Sequence, residues 1–251
     1  MTYNNELLQY ISEHLTDIDN GKYANLYDGL TYVSDVGALT QILHTIQINP
    51  LVDFEEIPAG ILLNDMTTIQ IPSNIKSIAY EAFKASPNLT TLIVPDSVTH
   101  LNEGCFKDCF KLTSIHLSDN ISDIPRSCFY ADHQLNTVKL PANLKAIYGS
   151  AFYNCKNLHH ITLPETLQAI YRDAFYGSGL VEIEIPESVQ TITTQAFYDC
   201  IHLKKITILN KDLCIQTKVF DNCHPDLVIY CPDNSLVKDA LIKRNYNVRS
   251  L

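Results

Sequence analysis

Apolar positions along the chain recur with one period. Phe stands at 83, 106, 129, 152, 175, 197 and 220, at spacings of 23, 23, 23, 23, 22 and 23 residues. Ala82, Cys105, Cys128, Ala151, Ala174 and Ala196 precede the first six, and Val219 the last. Three further series keep step: Leu89, Leu112, Leu135, Leu158, Leu180 and Leu203; then Leu92, Ile115, Val138, Ile161, Ile183 and Ile206; then Val94, Leu117, Leu140, Leu163, Ile185 and Ile208. Pro follows the last series at Pro95, Pro141, Pro164 and Pro186, with Ser118 and Leu209 as exceptions. Each unit reads Leu-x-x-Ile-x-Ile-Pro-x-x-Val-x-x-Ile-x-x-x-Ala-Phe-x-x-Cys. The alternating Ile-x-Ile predicts a short strand with one buried face. Pro ends it, having no N–H for a ladder. The Ile-x-x-x-Ala-Phe half returns the chain on the opposite side. One unit cannot bury its apolar edge alone, whereas stacked units share a continuous core.

This pattern resembles the BspA-like, or treponemal-type, leucine-rich repeat over residues 57–232. The resemblance implies an α+β fold: a leucine-rich-repeat solenoid of about eight turns with a parallel β-sheet. At roughly 4.8 Å per parallel rung the stack would be about 35–40 Å long. The family often has Gly after the second Ile. Here stand Asn102, Pro125, Tyr148, Tyr171 and Thr193, so these turns are expected to close without glycine. A degenerate first turn is visible in Ile57-Pro58-Ala59-Gly60-Ile61-Leu62, with Leu62 in the Phe place and Met66, Ile69, Ile71 and Pro72 completing its strand.

Residues 1–56 lack the repeat. Leu7, Leu8, Ile11, Leu15 and Ile18 fall at helical spacing with Gly21 as a stop, and Leu39, Ile42, Leu43 and Ile46 form a second helical face capped by Ser34. A hairpin about Asp28-Gly29 would join them. This small helical region is expected to cap the first rung or to act as an acidic docking module. At the other end, residues 233–251 predict a capping helix. Asn234 or Ser235 is its N-cap, Leu236, Ala240 and Leu241 share a face, and Lys243 and Arg244 close its C-terminus.

Charge narrows the partners. The net charge is −10, and residues 1–60 hold nine acidic residues against Lys22 alone, a net of −8. No basic stripe is available for a phosphate backbone, so nucleic acid is excluded, as is an anionic membrane. No apolar run approaches the roughly 18–20 residues of a membrane span. The amino terminus has neither the basic start nor the apolar stretch of a signal peptide, which gives a cytoplasmic expectation.

The candidate chemistry is thin. Cys109, Cys155, Cys200 and Cys223 lie three residues after the repeat Phe, Cys105 and Cys128 fill the Ala place, and Cys231 replaces a strand Leu or Ile. Seven of the eight cysteines are thus expected inside, as small reduced hydrophobes. No Cys-x-x-Cys pair suggests zinc. His159-His160 near Cys155 would need an exposed thiolate to act as a nucleophile, and Cys155 should point inward. Gly177-Ser178-Gly179 lacks the frame of a nucleophile elbow. Asp17-Ile18-Asp19-Asn20-Gly21 has its Gly one place early for a calcium loop and Asp28 where Glu belongs. No metal, cofactor or catalytic set is assigned.

The strand's outward positions form two columns once the turns stack. Their middle rungs concentrate His116, Lys139, His160, Glu182, Glu184 and Lys205. These six are the candidate partner-binding residues. A second candidate is the stripe Tyr130, Tyr153, Tyr176 and Tyr198, for which a packing role is favoured. The function expected is a non-catalytic protein-interaction scaffold binding a protein partner on the strand face. Alternatives are a surface or secreted adhesin, which many proteins of the resembled family are, and a host-targeted effector or phage-borne inhibitor. An enzyme built on residues 1–56 is a further alternative without a motif behind it.

Overall fold

The computed structural model describes residues 55–57, 59, 60, 67–71 and 73–251. The helices and hairpin expected before residue 55, and the Leu62 and Met66 positions of the first turn, lie outside the described residues.

From Glu56 onward the chain is a parallel β-solenoid whose turns match the repeat. One face carries the predicted strands. β2 (Thr68–Gln70), β4 (Thr91–Ile93), β6 (Ser114–His116) and β8 (Thr137–Lys139) form one parallel sheet, and β11 (Glu182–Ile185), β13 (Lys205–Ile208), β15 (Val228–Cys231) and β16 (Val248–Ser250) another. The opposite face carries two-residue strands that the sequence pattern did not separate from the return segment. β1 (Glu56–Ile57), β3 (Ser77–Ile78) and β5 (His100–Leu101) pair in order, then β7 (Asp123–Ile124), β9 (Ala146–Ile147), β10 (Ala169–Ile170), β12 (Thr191–Ile192) and β14 (Cys214–Ile215). Between the end pairs β1–β3 and β15–β16 the registers are in step with the period: Ile115 lies between Leu92 and Val138, and Ile170 between Ile147 and Ile192.

Between the faces runs the Phe column. All seven rings are buried, with centroids of successive rings 5.1–5.7 Å apart. Full burial of such a side chain stabilises by about 1.5–3 kcal/mol, and a stacked pair adds about 0.5–1.5. The cysteine column has a defined task. The Sγ of Cys109, Cys155, Cys200 and Cys223 each donates to the carbonyl of the Phe one turn earlier, at 3.0–3.2 Å. Burial raises the thiols of Cys109, Cys128 and Cys155 well above their ordinary range.

The turns close by two left-handed residues that bracket each Phe. Two places before it stand Glu81, Gly104, Ser127, Ser150, Asp173, Gln195 and Lys218; two places after it stand Ala85, Asp108, Ala131, Asn154, Gly177, Asp199 and Asn222. All have φ between 49° and 62° apart from Gly104 at 65°. The expectation of closure without glycine after the second Ile therefore holds, because the strained position lies two residues further on. Alternate N–H groups of this arc face the next turn: Gly104 N donates to Arg126 O, Phe106 N to Cys128 O and Asp108 N to Tyr130 O. The ladder gain offsets a left-handed cost of about 1–2 kcal/mol at each non-Gly residue.

The C-terminal end differs in part from expectation. Ser235 is the N-cap of α1 (Leu236–Ile242), its hydroxyl accepting from Lys238 N. The buried face is Val237 and Leu241, and Leu236 points outward with 71% exposure. Apolar spacing alone admits either face; contact with the last turn selects Val237. After the helix the chain returns as β16, which pairs with β15 and was not expected from the sequence.

Candidate interaction surface

The strand face is built by alternation. Ile115, Ile183 and Ile206 turn inward, and their neighbours on both sides turn to solvent. His116, Lys139, His160, Glu182, Glu184 and Lys205 are all exposed on this face.

The structure joins the six in two groups. His116 and Lys139 are register partners, with Lys139 Nζ 2.7 Å from His116 Nε2 and 3.9 Å from Asp119 Oδ2. Glu182 and Lys205 are also register partners, whereas Glu184 lies opposite Thr207. Lys205 Nζ sits 6.0 Å over the Tyr230 ring. Glu184 and Lys205 are therefore diagonal neighbours, two residues off register on the same face.

His160 stands between the groups on an interrupted rung. Residues 160–162 belong to no strand, and no backbone–backbone hydrogen bond reaches residues 160–163. The cause lies next door. Phe175 and Leu180 are one residue closer than in other turns, and the short connection Gly177-Ser178-Gly179 draws Gly179 N to 3.0 Å from Cys155 O. A Cβ on Gly179 would lie 1.9 Å from the Lys156 carbonyl oxygen, so only glycine permits that approach. On the opposite face β9, β10 and β12 run through the same turns unbroken. The missing period in the spacing was the signal for this fault. Ser178 is buried with Oγ 3.3 Å from Cys200 Sγ, an interior hydroxyl and not a presented nucleophile. Cys155 is buried too, and His159 Nδ1 is engaged with Gly179 O at 3.1 Å, so the Cys–His set is not assembled.

Tyr130, Tyr153, Tyr176 and Tyr198 form a continuous stack, with centroids 4.7, 4.6 and 5.2 Å apart. Lys107 Nζ covers the outer face of Tyr130 at 5.0 Å, and Asn222 Nδ2 donates to the Tyr198 hydroxyl at 2.8 Å. Ring faces are consumed within the column, which leaves edges and hydroxyls for contact with anything else. Burial raises the phenols of Tyr153 and Tyr176 above their ordinary value.

Asp132 occupies the cysteine column and is fully buried. Its Oδ1 accepts from Cys109 N at 2.7 Å, and its Oδ2 has no partner. Desolvation, with a smaller contribution from Asp108, holds its carboxyl well above the usual carboxylate range. Of the cysteines, Cys214 is exposed and Cys223 half-buried; the other six are buried, and none is bonded to another. Among the described residues no group of three or more His, Cys, Asp or Glu side chains is placed to hold a metal ion, and no helix is long and apolar enough to cross a membrane.

Turn length, the Phe and Cys columns and the doubly left-handed arc define a leucine-rich-repeat solenoid. The chain belongs to the BspA-type leucine-rich repeat family, whose repeat region matches in six copies over residues 62–178 and 124–248. Among solved structures it is similar to the T. pallidum leucine-rich repeat protein TpLRR, at 23% identity and a TM-score of 0.48, over 63% of this chain and 85% of that one. It is similar also to a leucine-rich repeat protein from Bacteroides ovatus (21%, TM-score 0.39, 65% of this chain and 63% of that one). A leucine-rich cell surface protein from Faecalibacterium prausnitzii matches at 15%, TM-score 0.33, over 70% of this chain and 81% of that one. No curated protein matches the chain.

Proposed function

We propose that the protein is a non-catalytic scaffold that holds a partner protein on its strand face, centred on the interrupted rung. The observation that carries this reading is the exposure of all six candidate side chains on the strand side of the turns, with positive charge at Lys139 and negative charge at Glu182 and Glu184. Solenoids present extended faces of this kind to partners, and mixed charge serves orientation and specificity more than bulk affinity. The eight free thiols suit a reducing compartment, where the scaffold would act.

The test compares three baits in affinity capture from the source cell: the native chain, Glu182→Lys with Glu184→Lys, and Tyr153→Phe with Tyr176→Phe. Both Glu side chains are exposed, so reversal leaves the fold intact. Loss of a desolvated charge contact costs about 2–5 kcal/mol, enough to remove the partner from the acidic-reversal bait. Retention by that bait and loss from the Tyr bait would refute the assignment of the face.

A further inference from the structure

The two sheet faces of the solenoid end differently at the C-terminal side. The two-residue-strand face stops at β14, and α1 covers it: Val237 N approaches Lys211 O at 3.5 Å, and Arg244 Nη2 donates to the Ile215 carbonyl at 3.2 Å. The predicted-strand face stops at β16, beyond which no strand pairs among the described residues. Ile229 N donates to Asn247 O and Leu251 N to Cys231 O. This register turns the N–H and C=O groups of Val248 and Ser250 away from the sheet, where none of them has a backbone partner. Natural sheets block such edges, because an open edge is a template for another strand. Among the described residues α1 covers one edge, and no strand covers the other.

The surroundings of the open edge say what fits it. Residues 233–251 carry Lys238, Lys243, Arg244 and Arg249 against Asp233 and Asp239, a net of +2 in a chain of net −10. Arg249 lies on the strand itself, in register with Tyr230, over whose ring Lys205 stands. Exposed apolar surface is also concentrated at this end, on Leu236, Ile242 and Leu251. Lys238 is held by Asp233 and Ser250, which leaves Arg249 as the cation presented along the edge. We propose that β16 is a second docking site, independent of the strand-face patch, at which an acidic extended segment of a partner protein adds as a further strand. Main-chain bonds to Val248 and Ser250 would supply the pairing, and an acidic side chain of the added strand would meet Arg249.

The test uses the full chain and a fluorescein-labelled peptide of alternating Val and Glu, with a Val–Lys peptide as comparison, read by fluorescence anisotropy at low salt. The acidic peptide is expected to bind at least about tenfold more tightly than the basic one. Arg249→Glu, a surface change, is expected to reverse the preference. Val248→Pro removes an outward N–H while remaining tolerable on an edge, and is expected to abolish binding with the melting temperature retained. Equal affinity for the two peptides, no binding by either, or indifference to Arg249→Glu would overturn the proposal. So would concentration-dependent dimers in sedimentation that vanish in Val248→Pro, since the edge would then belong to a second copy of the chain. Glu182→Lys with Glu184→Lys should leave peptide affinity within about twofold, which separates this site from the strand-face patch.

Discussion

Replacing Asp132 by Asn should make the protein less sensitive to pH, with the gain appearing only above about pH 4. The carboxyl is wholly buried, accepts one bond from Cys109 N and leaves Oδ2 without a partner. An uncompensated buried charge costs about 3–5 kcal/mol. Retaining one proton over two pH units costs about 2.7 kcal/mol, at 1.36 kcal/mol per unit. Protonation is the smaller cost, so the folded protein keeps the acid neutral, in line with its raised pKa. The unfolded chain releases that proton near pH 4. Stability linked to Asp132 is therefore fully present below pH 4 and falls as pH rises through the window up to the folded-state pKa. Asn copies the neutral acid in shape and still accepts from Cys109 N. In urea unfolding the difference between the two proteins should shift in favour of Asn as pH rises above about 4, by at most about 1.4 kcal/mol per pH unit, until the folded-state pKa is passed. Other carboxylates cancel in the difference. A difference that does not change with pH, or a variant that is less stable at pH 6, would refute the reasoning.

Gly179→Ala should lower stability by about 1–3 kcal/mol, as overpacking does, because its Cβ would meet the Lys156 carbonyl at 1.9 Å; an unchanged melting curve would mean that the turn is looser than described. Thiol labelling of the native protein should modify Cys214 at once and Cys223 slowly, and reach the six buried cysteines only on unfolding. Fast labelling of Cys109 or Cys155 would contradict the inward column.

The repeat was legible because its signal is redundant. Every apolar column is written several times over, so Ser118 or Val219 in an odd place changes nothing. Features carried by single residues were harder to read. Asp132 differs from its column neighbours by one letter, and its consequence depends on depth, which a sequence does not print. The interrupted rung was announced by one 22-residue spacing, yet whether the missing residue would break a strand or shorten a loop is decided by the close approach of Gly179 to Lys156. Leu236 and Val237 are both apolar neighbours at the start of α1, and the buried one is chosen by contact with the last turn. The tripeptide Val248-Arg249-Ser250 is too short to show alternation; it becomes a strand because β15 offers it an edge. The exposure of the six strand-face residues was legible because period-two alternation fixes sidedness; which side chains meet across the rungs depends on register, which alternation does not fix.

The hydrogen bonds between turns have a consequence for how such a molecule grows. Many join a residue to its counterpart exactly one unit away, as Thr113 Oγ1 does to Thr90 O, Lys111 Nζ to Asn88 Oδ1 and Asn157 Nδ2 to Gln134 Oε1, each across 23 residues. A tandem copy of one 23-residue unit brings its own donors for the turn before and acceptors for the turn after, so insertion breaks no bond that it does not remake. Length is then a quantity that duplication can change in whole steps without redesigning either end. The unit containing Gly177-Ser178-Gly179 is the exception. Copying it would copy the fault as well, and a chain extended from that unit would carry a second interruption on its strand face one turn away from the first.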